Sequence, residues 1–159
     1  MKKISLLLFL FFISQANAQD SLKIRQIDSL VNIINHSSIK PQYDSVIQNY
    51  PDLGLKMRTD LTAIIDGPQL KKYVNKLSSE RKENGVIMRL NSSNKFYFDD
   101  NKLIKVEETV KQGEEELQYY WYFSNNKAIY NTMQSDKSAE RAALLLTVAD
   151  GFLKAINKQ

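Results

Sequence analysis

Two hydrophobic periods alternate along this chain. Leu22, Ile27, Leu30, Val31 and Ile34 recur at three- and four-residue steps, with Lys23, Arg25, Gln26 and Asp28 between them, which predicts an amphipathic helix. Ser37, Ser38 and Pro41 end it. Tyr43, Val46, Ile47 and Tyr50, stopped by Pro51 and Gly54, predict a short second helix. From Leu55 the period becomes two: Leu55, Met57, Thr59, Leu61 and Ala63 alternate with Lys56, Arg58, Asp60 and Thr62, as on a half-buried strand. Asp66-Gly67-Pro68-Gln69 is a turn signal, LKKYVNKL a returning strand, SSERKENG a polar connection and VIMRL the start of the next strand. The helical period returns at the end. Ala142, Leu145, Leu146, Ala149, Phe152, Leu153 and Ile156 form a broad apolar face behind the N-cap candidates Ser135, Asp136 and Ser138. Gly151 costs such a helix about 1 kcal/mol relative to alanine, which predicts a close approach to the sheet or a bend there.

Between these helices one pattern is written twice. FYFDDNKLIKVEE begins at Phe96, and WYFSNNKAIYNTM repeats its grammar from Trp121. Asp100-Asn101 and Asn125-Asn126 sit where two-residue type I′ turns need left-handed backbone, which Asn and Asp tolerate. That register pairs Phe98 with Leu103 and Phe123 with Ala128, and next Tyr97 with Ile104 and Tyr122 with Ile129. IIDGPQLKKY is a weaker third copy. Hairpins in series build an antiparallel meander, so the predicted fold is α+β: an N-terminal helical segment, five or six meandering strands, and a long C-terminal helix on one face.

The first residues have the grammar of an export signal. Lys2 and Lys3 precede an apolar run from Ile4 to Ile13, and Ala16-Asn17-Ala18 predicts cleavage before Gln19. The run is shorter than the roughly 20 residues of a spanning helix, and no second long apolar run follows. The expected organisation is therefore a signal peptide over 1–18 and one domain over 19–159, in the periplasm or outside the cell. The sequence has no cysteine, which removes a lipid anchor, disulfides and thiol chemistry. Losing Lys2 and Lys3 takes the net charge from +4 to +2, so nothing in the charge calls for nucleic acid.

Chemistry-bearing motifs are sparse. His36 is the single histidine and stands at a helix end, where it reads as a solvated or C-capping residue, so no catalytic triad and no histidine metal site is expected. Glu107 and Glu108 are adjacent on a strand and face opposite ways; Glu114 to Glu116 lie beside a turn at Gly113. The glycines are isolated, so no phosphate cradle is formed, and Lys71, Lys72, Lys76, Arg81 and Lys82 are interrupted by acids as on a solvated surface. No catalytic residue, metal or cofactor is expected.

QYYWYF is the most suggestive stretch. Alternation sends Tyr119, Trp121 and Phe123 to the helix-bearing face and Tyr120 and Tyr122 to the other, with Tyr97 nearby. A tyrosine-rich sheet face suits contact with a protein, peptide or envelope glycan, unless the N-terminal helices cover it. Tyr97, Tyr120 and Tyr122 are accordingly the expected binding residues. The two hairpins, set between an export signal and a C-terminal helix, resemble a loose group of small exported Gram-negative proteins built on Tyr-Tyr-Phe-Asp-x-Gly-Lys-Leu-like hairpins. That group is distantly similar to inhibitor-like and PepSY-like modules. Asn101 and Asn126 replace the glycine of that pattern. The resemblance implies an exported module and brings no site residues with it. The functional expectation is a non-catalytic binding module; the alternative is a small hydrolase using a carboxylate such as Asp66 or Asp99, or a small-ligand-binding protein.

Overall fold

The computed structural model describes residues 20–83 and 85–156; the expected signal peptide and its cleavage point lie outside the described residues. The chain divides into two units, one ending at His36 and one beginning at Ser37. In the first, helix α1 spans 20–35, and Ile27 and Val31, one turn apart, are buried. His36 closes it as a cap. Its Nδ1 bonds the carbonyl oxygen of Asn32 at 2.8 Å, as does its backbone N–H at 3.1 Å.

The second unit is a seven-stranded antiparallel sheet, in the order of the chain, followed by one helix. Its strands are β1 (Gln42–Tyr50), β2 (Leu55–Asp66), β3 (Gln69–Glu83), β4 (Val86–Asp99), β5 (Lys102–Gln112), β6 (Glu115–Ser124) and β7 (Lys127–Asn131). Helix α2 is Ser138–Ile156. The α+β class, the meander and the C-terminal helix stand as the sequence predicts, with more strands than the five or six expected.

The sheet is larger than expected in two places. The segment around Tyr43 to Tyr50 is not a helix but β1, paired with β2 along its whole length from Gln42↔Ala63 to Tyr50↔Leu55. Its helical spacing buries nothing, because every residue of it is exposed, and the ladder to β2 decides its state. Pro51–Leu53 makes the connection, and Gly54 at φ 57 turns the chain back, its N–H bonding the oxygen of Pro51 at 3.0 Å. The polar SSERKENG stretch likewise continues β3 to Glu83 instead of leaving the sheet. Pairs such as Arg89–Glu80, 3.2 Å apart, line its solvent side.

All three hairpins at one end carry the same irregularity. Asp66↔Gln69, Asp99↔Lys102 and Ser124↔Lys127 close them, and Asp100, Asn101, Asn125 and Asn126 take positive φ of 47° to 57°, the I′ signature. Phe98↔Leu103 and Phe123↔Ala128 pair as predicted. The next pairs do not. A β-bulge leaves out Lys71, Ile104 and Ile129, so Ile64 meets Lys72, Tyr97 meets Lys105 and Tyr122 meets Tyr130. The extra residue reverses the facing of the strand beyond it, turning Val106 inward and Lys105 outward.

The core lies between one sheet face and α2. It consists of Leu70, Phe96, Phe98, Leu103, Val106, Trp121 and Phe123 against Ala142, Leu145 and Ala149. Phe152 extends it, stacking on Tyr73 at 3.9 Å and meeting the edge of Phe96 at 5.1 Å. Gly151 faces open space, so no close approach requires it.

Candidate binding surfaces of the sheet

Tyr97, Tyr120, Tyr122 and Tyr130 fall on the face opposite α2 and are interleaved with lysines. One cross-strand row reads Ile64, Lys72, Tyr97, Lys105, Tyr122, Tyr130. The next contains Lys95, Glu107 and Tyr120. Lys72 stands 5.2 Å from the Tyr97 ring centre, and Lys105 stands 4.9 Å from Tyr122 and 5.6 Å from Tyr120, within cation–π range. Glu107 pairs with Lys95 at 3.1 Å and with Lys105 at 3.3 Å. Burial, and then the neighbouring Lys95 charge, pull the Lys72 ammonium below its ordinary pKa.

The three expected binding residues are therefore brought together, but they are not equally accessible. Tyr97 is 1% exposed and Tyr122 8%, while Tyr120 is half-buried with its hydroxyl 3.0 Å from Gln118 Oε1. Sequence reasoning missed Lys72, Lys105 and Glu107. Without the bulge, isoleucine would face Tyr97, and no local residue type announces a bulge at Ile104.

The α2-bearing face has a second part beyond the helix. Next to the core runs a polar row containing Asn75, Asn94 and Glu108. Glu108, 5% exposed, accepts the indole N–H of Trp121 at 2.7 Å and is clasped by the Arg141 guanidinium of α2. Past that row apolar residues return among polar ones: Val46, Leu77, Val110 and Leu117 with Thr59 and Ser92, then Met57 and Leu90 with Gln48 and Ser79, then Tyr50, Leu55 and Met88 with Arg81. Leu117 is 55% exposed, and Val46, Tyr50, Met88 and Leu90 are exposed with it. Length explains the surplus. β3 has 15 residues, about 50 Å of strand. The 19 residues of α2 span only about 28 Å.

At the β1 end of the same face lies an open groove of about 400 Å³, lined by Tyr43, Asp44, Ala63, Tyr73, Phe152 and Ile156 among others. Burial, helped by the Asp44 charge, raises the pKa of the Tyr73 hydroxyl. The alternative carboxylates, Asp66 and Asp99, stand apart in separate hairpins, each at the last pair before its turn. Among the described residues no cluster of acids and histidine has the makings of a metal site, and no helix is long and apolar enough to cross a membrane. No family model, curated protein or solved structure matches this chain.

Proposed function

We propose that this protein is an exported, non-catalytic binding module, periplasmic or secreted, whose contact surface is the apolar extension of the α2-bearing face and whose partner is a protein or peptide. The observation that carries this reading is the group of exposed Val46, Tyr50, Met88, Leu90 and Leu117, spread over three adjacent cross-strand rows beyond the helix. Exposed apolar groups rimmed by polar side chains, here Thr59, Ser79, Arg81 and Ser92, mark contact sites. The patch is mostly aliphatic, which favours a protein or peptide surface over a glycan, for which stacked exposed rings are the usual platform. The export grammar of the first residues and the resemblance to a loose group of small exported proteins accord with it. The tyrosine row then acts mainly as a charged and aromatic brace across the sheet.

The test is capture of envelope proteins by the mature chain, compared with Leu90→Asp and Leu117→Asp. Specific capture lost in both variants, with unchanged circular dichroism, supports the reading. Identical capture by parent and variants removes it. The groove beside Tyr73 favours small-ligand binding as a second reading. Chemical-shift changes confined to Tyr43, Tyr73 and Phe152 on titration with small aromatic amines are the result that reading expects.

A further inference from the structure

We propose that two copies of this chain join through their β1 strands, in antiparallel register centred on Val46, making one continuous sheet. β1 is an edge strand with a single neighbour, β2. Edge strands are usually shortened, bulged, or guarded by lysine or proline, because an open row of backbone donors and acceptors recruits other strands. β7, at the other edge, is only five residues long. β1 has nine, QYDSVIQNY, with no lysine, no proline and an unbroken register to β2. All nine are exposed.

The direction of its free backbone groups follows from one contact. The Ser45 N–H donates to Asp44 Oδ1 at 2.7 Å, not to β2, which marks the odd-numbered residues as those facing the open edge. A twofold axis at Val46 brings Tyr43 opposite Asn49 of the second copy and Ser45 opposite Ile47, so all four outward residues form hydrogen-bonded pairs. Roughly eight backbone bonds result, and no residue of the strand is left over. The side chains agree with this register. Val46 meets its own counterpart at a close non-hydrogen-bonded pair, and Asp44 meets Gln48, so the strand's one charge never faces a like charge. The same sequence serves both sides, as an isologous interface requires. The inference uses the backbone edge and does not depend on the function proposed above.

Analytical ultracentrifugation of the mature chain over micromolar to millimolar concentrations tests it. The parent should sediment at twice the monomer mass at the upper end. Ile47→Pro removes an outward N–H without touching the ladder to β2 and should leave a monomer. Because proline can distort the strand, Val46→Lys and Val46→Glu provide a second measurement. Each alone places like charges face to face and should be monomeric, and an equimolar mixture should recover the doubled mass. A parent that stays monomeric throughout overturns the proposal. So does a dimer that survives Val46→Lys, or one abolished only by Leu117→Asp, which would place the contact on the apolar face instead.

Discussion

Glu108 ties three elements together, and removing its carboxylate tests how α2 is held on the sheet. Its Oε2 accepts from Trp121 Nε1 of β6, and Arg141 of α2 donates to both carboxylate oxygens. Trp121 is fully buried, so in Glu108→Ala its indole N–H has no acceptor, at a cost of about 1–3 kcal/mol. The Arg141 side chain is 38% exposed and can turn to water, so its loss falls below the 3–5 kcal/mol of a fully buried pair. The expected total for Glu108→Ala is about 2–4 kcal/mol. Glu108→Gln keeps an oxygen for the indole and loses only the charge, which predicts a loss of about 1–2 kcal/mol. Urea unfolding followed by fluorescence measures this, since Trp121 is the only tryptophan and lies at the contact. Arg141→Ala combined with Glu108→Ala should cost less than the two single losses added, because both remove one interaction. Glu108→Ala within 1 kcal/mol of the parent would refute the clamp. Equal losses for Glu108→Ala and Glu108→Gln would refute the part assigned to Trp121.

Asn101→Gly and Asn126→Gly should be neutral or stabilising by up to about 1 kcal/mol, since both asparagines hold positive φ that glycine enters freely; a large fall in melting temperature for both would contradict the I′ turns. Gly151→Ala should raise helix stability by up to about 1 kcal/mol, because the added methyl meets nothing. Gly54→Ala should do the reverse, because at φ +57 its methyl would stand 2.7 Å from the Lys82 carbonyl oxygen; urea midpoints distinguish the two. The Tyr73 pKa, raised by burial and then by Asp44, keeps the hydroxyl protonated above pH 10, where the unfolded chain ionises. Its stabilising contribution is complete below that pH and lost as pH rises through the folded value. Lys72, with a lowered pKa, acts in the opposite sense, so the comparison is between the parent and Tyr73→Phe, whose stability should fall less steeply above pH 10.

Where a signal is local, sequence alone determined the outcome. Asn and Asp at the hairpin tips set left-handed turns through their own backbone preference, and those turns fixed Phe98↔Leu103 and Phe123↔Ala128. The two helices followed from three- and four-residue spacing. The opposed facing of Glu107 and Glu108 followed from strand alternation. The rest required partners. β1 carries a helical spacing and became a strand because β2 offers it a ladder along its whole length. The repeated bulge has no residue signature, yet by one uncounted position it sent Lys105 rather than Ile104 across from Tyr97, replacing a greasy face with a row of lysines and rings. Which surface stays open was decided last, by length. Strands of up to 15 residues outrun a 19-residue helix, so apolar positions that sequence marks as core remain uncovered beyond its reach. Hydrophobicity and backbone preference belong to single residues and short windows; burial belongs to the segments that meet, and only the folded chain contains those meetings.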